Sequence, residues 1–155
     1  MDDLIIISHY AGAPLFRLFG VGPEFRPVKG LKRLQKLLNN NAPWAKNRSI
    51  NKIRTMLINT EVIITAWQEK ELIGFGRATT DKSFRAVLWD VVVDKQYENL
   101  GLGKKIVKTI LNNPSISKVE RIYIMTTSCS KFYLKQGFII EPHQKLMILN
   151  MNSLL

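Results

Sequence analysis

The chain has 155 residues, enough for one domain with a sizeable buried core. Its apolar content of 46% is ordinary for a globular protein and too low for a membrane bundle, and its single cysteine, Cys129, excludes an internal disulfide framework and fits a reducing compartment. Lys and Arg outnumber Asp and Glu by 23 to 12, and the net charge of +11 points to an anionic partner without choosing among nucleic acid, an anionic membrane and a phosphorylated cofactor.

The apolar start, LIIISHYAGAPLF, follows Asp2 and Asp3 where a signal peptide would be basic, and Arg17 interrupts it too early for a membrane span. The expectation is a soluble protein with no membrane partner. Residues 1–29 predict little beyond one strand near the start. From Leu31 the apolar positions Leu31, Leu34, Leu37 and Leu38 follow helical spacing, with Lys and Arg as the solvated face, until NNNAP breaks the helix. A second helix is predicted from about Ser49, with Ile50, Ile53, Leu57 and Ile58 on one face.

The period then changes. Residues 61–68 and 71–80 predict a β-hairpin with a short Glu69-Lys70 turn. Residues 84–93, FRAVLWDVVV, read as a third strand covered on both faces, because the run is nearly continuously apolar. Ile106, Val107, Ile110 and Leu111 form a helical stripe that Asn112, Asn113 and Pro114 end. Residues 119–127 predict another strand, and 130–136 a short helix stopped by Gly137 as a left-handed cap. The stretches 138–140 and 145–151 read as two closing strands. Together these elements predict one α/β (α+β) domain over 1–155, with a mixed, mostly antiparallel central sheet flanked by about four helices.

Between the third strand and the following helix the chain reads Glu98-Asn99-Leu100-Gly101-Leu102-Gly103-Lys104. A glycine-bearing turn at a helix start brings several backbone N–H groups around one point, where the helix dipole favours an anion. The Rossmann fingerprint needs a third glycine and the P-loop needs Gly-Lys-Ser/Thr, so neither fits. Alone, Gly101-Leu102-Gly103 suits a plain turn better than a phosphate cradle.

With its surroundings the loop resembles the Gln/Arg-x-x-Gly-x-Gly/Ala signature of the GNAT family of acetyl-CoA-dependent N-acetyltransferases. Glu98 departs from its first position. Phe132-Tyr133 followed by Gly137-Phe138 resembles the short helix that carries the family's catalytic tyrosine, and LIGFGRATT fits the hairpin before the central strand. The likeness spans roughly residues 30–140. GFGRATTDKSFRAVLWDVVVD and Trp44 resemble a cyanobacterial and plastid branch that includes chloroplast acetyltransferases for protein lysines and serotonin. The aromatic ending of that branch is replaced here by KLMILNM.

The resemblance implies a GNAT-like fold and transfer of acetyl from acetyl-CoA to a primary amine, a protein lysine or an arylalkylamine, by direct attack in a ternary complex. It implies a cofactor pyrophosphate on the backbone of Asn99, Leu100, Gly101, Leu102, Gly103 and Lys104, with Glu98 as a handicap. It puts the pantetheine arm along Val91, Val92 and Val93, with further contacts at Thr126, Thr127 and Ser128, which could also guide water. Tyr133 is the implied general acid, since a phenol can protonate a leaving thiolate. Asp90, in mid-strand, is either a buried base with a raised pKa or a group that fixes a backbone or an arginine.

Asp81, Asp90, Asp94, Glu98 and Glu141 suggest a local acidic mouth for the acceptor. Trp44 and Trp67 read as packing residues, with Trp44 the better candidate for the acceptor side. His9, His143 and Cys129 have no metal-ligand or thiol-nucleophile pattern, so no metal site is expected. Two alternatives compete: an acyl-CoA sensor without turnover, favoured by Glu98, and a basic nucleic-acid-binding domain. The apolar strands argue against the second, and no nucleic-acid partner is expected. The branch implies a cytoplasmic protein of cyanobacterial type or one of the plastid stroma.

Overall fold

The computed structural model describes residues 3–9 and 29–151. Residues 10–28, among them Arg17, lie outside the described residues. The chain divides into two compact units, one up to residue 125 and one from 126.

The first unit is built on a five-stranded sheet of order β1-β2-β3-β4-β5: β1 (Leu4–His9), β2 (Val62–Gln68), β3 (Glu71–Thr80), β4 (Arg85–Val93) and β5 (Arg121–Ile124). The first four are antiparallel, and β5 pairs parallel with β4. Gln68 faces Glu71 in the ladder, so the β2–β3 loop is the expected two-residue turn, with Glu69 at φ 53°.

Helices α1 (Gly30–Asn41) and α2 (Ile50–Ile58) bury Leu31, Leu34, Leu37, Leu38, Ile53 and Leu57 in one core with Ile63, Trp67, Phe75 and Val92 of the sheet. Ser49 caps α2 by accepting from the Lys52 N–H. Helix α3 (Leu102–Leu111) covers the opposite face with Leu102, Ile106, Val107 and Ile110. It packs against two glycines of β3. A Cβ at Gly74 would stand 2.7 Å from Ile106 Cδ1, and one at Gly76 would stand 2.7 Å from Ile106 Cγ2. The LIGFGRATT pattern therefore has a packing cause: glycine lets the helix reach the strand.

Two strand expectations are corrected. Residues 138–140 and 145–151 contain no strand; there Ile139, Ile140, Leu146, Met147, Ile148, Leu149 and Met151 are exposed. Apolar character alone marked them as strands, and no ladder partner among the described residues fixes that state. β5 is also shorter than residues 119–127. The second unit contains helix α4 (Ser130–Leu134).

Candidate active site

β3 and β4 are out of step at one place. Phe75 pairs with Val92 and Arg77 with Trp89, so Asp90 and Val91 together oppose the single Gly76. This is a β-bulge, and Asp90 occupies it with φ 50°. Left-handed backbone is uncommon for a residue with a side chain, and asparagine and aspartate tolerate it best.

The Asp90 side chain is 4% exposed and is surrounded by donors. Arg77 Nε–H donates to Oδ2 at 2.8 Å, and an Arg48 guanidinium N–H donates to the same oxygen at 3.1 Å. Trp44 Nε1–H donates to Oδ1 at 3.2 Å. Burial alone raises the carboxyl pKa, but Arg77 and Arg48 more than offset it and hold Asp90 below the usual carboxylate range. The expectation of a raised pKa suited to base chemistry is corrected on this ground. Asp90 is a committed anion that fixes two arginines.

Two other carboxylates of the expected acidic mouth are tied into local turns. Asp81 Oδ1 accepts from the backbone N–H groups of Ser83, Phe84 and Arg85 at the β3–β4 turn. Asp94 accepts from the Gln96 N–H. These carboxylates serve local structure.

The β4–β5 ladder stops at the Leu88–Ile124 pair. Beyond it, Trp89–Val93 has no ladder partner on that side among the described residues. Val91 and Val93 are accordingly only half-buried, although the apolar run predicted a strand covered on both faces. Open strand backbone offers N–H and C=O groups to an extended ligand.

The chain leaves this open edge through a 3-10 turn (Lys95–Tyr97) and enters the glycine loop. Asn41 Oδ1 accepts from the Lys95 N–H at 3.1 Å, tying the end of α1 to the loop. Asn99 at φ 62° and Gly101 at φ 80° reverse the backbone, and Gly101 caps α3. A Cβ placed on Gly101 would meet nothing within 4 Å, so the helix start faces open space. The first-turn N–H groups of an α-helix have no intrahelical partners and suit an anion. Lys104 and Lys105 are exposed in that turn. Glu98 and Leu100 are exposed too. An extended ligand with a phosphate group fits these features: open β4 edge, helix start and lysines follow one another along the chain.

In the second unit, Thr126, Thr127 and Ser128 are exposed, and Thr126 Oγ1 accepts from the Cys129 N–H at 3.0 Å. Tyr133 is buried, with its ring edge-to-face against Phe132 at 4.9 Å and Phe138 at 5.6 Å. Gly137, at φ 92°, ends the helix as the spacing predicts. Its N–H donates to Leu134 O and that of Phe138 to Tyr133 O, at 3.1 Å each. This is a Schellman cap, and the Tyr133–Phe138 ring contact is its hydrophobic closure. Burial, reinforced by the Cys129 thiol, pushes the Tyr133 phenol up to about 12.

The first unit thus joins Asp90, Val91–Val93 and the glycine loop. Sequence reasoning missed Arg77 and Arg48. It read Trp44 and Trp67 as packing residues, with Trp44 the better candidate for the acceptor side; Trp67 is fully buried, and Trp44 is 59% exposed. Arg77 had a signal. It is the one charge within residues 72–80, as Asp90 is within 86–93, and two lone opposite charges in adjacent strands predict a pair. Arg48 had none.

The family model for the acetyltransferase (GNAT) domain matches residues 59–140. The chain belongs to the GNAT acetyltransferase family. It is 34% identical over 110 residues to the uncharacterized N-acetyltransferase ycf52 of Pyropia yezoensis, covering 68% of this chain and 63% of that protein. The chain therefore spans under two thirds of the length of that relative. To the chloroplastic GCN5-related N-acetyltransferase 2 of Arabidopsis thaliana it is 40% identical over 76 residues, 48% of this chain and 30% of the other. The GNAT family acetyltransferase SP0256 of Streptococcus pneumoniae has the same fold, with a TM-score of 0.70 at 16% identity over 96% of this chain and 98% of its own. The matched GNAT stretch holds both the glycine loop and the Tyr133–Phe138 cap.

Proposed function

We propose that this chain is an N-acetyltransferase that binds acetyl-CoA together with a primary amine, and that residues 1–155 form one such domain. The observation that carries the reading is the open edge of β4 leading into the glycine turn at the start of α3. Val91, Val92 and Val93 offer backbone groups to the pantetheine arm. Asn99, Leu100, Gly101, Leu102, Gly103 and Lys104 offer backbone N–H groups and one ammonium to the pyrophosphate. Thr126, Thr127 and Ser128 add contacts from the following loop. Acetyl-CoA supplies an acetyl group activated as a thioester.

Tyr133 is the proton donor in this reading. Its phenol stays protonated throughout the physiological range, because burial disfavours the phenolate. Asp90 is held as an anion by its two guanidinium partners, and in this reading a water takes the proton from the amine. The acceptor is a protein lysine or a small arylalkylamine. The chloroplastic relative of Arabidopsis thaliana supports a plastid stromal protein; a cytoplasmic protein of cyanobacterial type is the alternative.

An acetyl-CoA turnover assay across an amine panel and a lysine-peptide pool tests this. Turnover is expected with at least one amine, and Tyr133→Phe is expected to lower kcat by about 10²–10⁴ with acetyl-CoA affinity retained. Unchanged kcat in Tyr133→Phe removes it as the acid. Acetyl-CoA binding without turnover on any amine favours the sensor, and no binding contradicts the family chemistry for this chain.

A further inference from the structure

Helix α1, the start of β3 and the turn after β4 enclose a cavity of about 280 Å³. Arg33, Lys36, Leu37 and Asn40 line it from α1, and their spacing puts them on one stripe of the helix. Leu37, Leu72 and Ile73 are buried and supply its apolar lining. Arg33 pairs with Glu71 toward the N-terminal half of α1. Asp94, Gln96 and Tyr97 stand toward its C-terminal end, where Asn41 Oδ1 accepts from the Lys95 N–H.

This cavity is separate from the open edge of β4. It lies on the β3 side of that strand, where Val93 pairs with Gly74 and the Asp94 N–H donates to Ile73 O at 2.8 Å. None of residues 91–93 or 99–104 lines it.

Its polar groups are incompletely used. Four charged side chains line it, two of each sign. Arg33 and Glu71 answer each other, but among the described residues Lys36 and Asp94 have no ion-pair partner. Asp94 Oδ1 accepts from the Gln96 N–H, which leaves Oδ2 without a donor among the described residues. Arg33 Nε–H is buried and has no acceptor there. Buried donors are nearly always satisfied, so an orphan Nε–H beside a cavity calls for an acceptor from outside the chain.

We propose that this cavity binds a small zwitterion of the amino-acid class. Lys36 and Arg33 Nε–H receive its carboxylate, Asp94 receives its ammonium, and its carbon skeleton lies against Leu37, Leu72 and Ile73. A lone anion meets Glu71 and Asp94, and a lone cation meets Arg33 and Lys36. A molecule that carries both charges finds a partner for each. At about 280 Å³ the cavity stands at the lower limit of small-molecule sites, which suits an amino acid and excludes a nucleotide.

Amide NMR spectra of the full chain test this, with glycine, serine, glutamate, lysine, leucine and phenylalanine as probes. Acetate and methylamine serve as probes of one charge each. At least one amino acid is expected to shift the amides of Leu37, Asn40, Gln96 and Tyr97 saturably, with a Kd below about 1 mM. Acetate and methylamine are expected to bind at least about tenfold more weakly. Lys36 is exposed and Asp94 half-buried, and Lys36→Gln and Asp94→Asn each remove a charge while keeping a hydrogen-bonding side chain. Each is expected to weaken the amino acid by about tenfold. No saturable shift with any of the six at about 10 mM overturns the inference. So does binding that neither substitution weakens, and so does acetate binding as tightly as the amino acid, which marks an adventitious ion only. Displacement of the amino acid by acetyl-CoA assigns the cavity to the cofactor and overturns it too. The direct binding readout contains no acetyl-CoA, so failure of the acetyltransferase reading does not alter it.

Discussion

At the scale of single residues, environment decides what a side chain can do. Asp90 and Tyr133 were both candidates for proton chemistry by type and position. The structure separates them, since one is a carboxylate neutralised by two arginines and the other a phenol desolvated among aromatic rings. The Tyr133 shift has a stability consequence. Its folded pKa, about 12, lies above the ordinary value of 10.0, so its contribution is complete below pH 10 and is lost as pH rises from there toward 12. In that window the unfolded phenol ionises and the folded one does not. Denaturant midpoints at pH 9 and pH 11 should therefore fall more for the wild type than for Tyr133→Phe, and an equal fall would contradict the burial argument. Glu98 presents the opposite case. It is exposed beside the glycine loop, where its charge disfavours a phosphate by roughly 1 kcal/mol if fully solvated. Glu98→Gln should tighten acetyl-CoA binding by less than about tenfold in calorimetry. A weaker-binding variant would show that the carboxylate itself assists the ligand.

At the scale of elements, the sequence was most legible where periodicity and packing agree. The leucine stripe of α1, the two-residue β2–β3 turn, the α3 stripe and the Gly137 cap all appear where their spacing puts them. Legibility ended where a third partner set the outcome. The bulge at Asp90 depends on Arg77 and on a segment more than forty positions earlier, and no local pattern encodes that. β4 looked like a strand covered on both faces because composition does not show where a ladder stops. The stretches 138–140 and 145–151 were apolar enough to suggest strands, but apolar residues without a ladder partner do not make one. Gly76 illustrates a cause that spacing only hinted at. Its substitution by Val would press a branched side chain into Ile106 and Ile110, which lie 2.7 and 3.1 Å from the first added carbon. Such overpacking costs about 1–3 kcal/mol. Thermal denaturation should show Gly76→Val clearly destabilised, and a variant as stable as wild type would mean that α3 is not seated as described.

At the scale of the whole molecule, the net charge of +11 acquires a distribution. Residues 29–60 carry eight Lys or Arg and no Asp or Glu, and of these Arg33 pairs with Glu71 and Arg48 with Asp90. With Lys104 and Lys105 at the start of α3, this favours a polyanionic ligand before any specific contact forms. Charge therefore supports a phosphorylated cofactor as well as it supports a nucleic acid, and the open β4 edge beside the glycine turn is what distinguishes them. The most direct measurement is amide hydrogen exchange of the full chain with and without acetyl-CoA. Protection is expected over Val91–Val93 and Asn99–Lys104, where strand edge and helix start would each gain partners. Saturation with acetyl-CoA that leaves both segments exchanging as in the free protein would contradict the account.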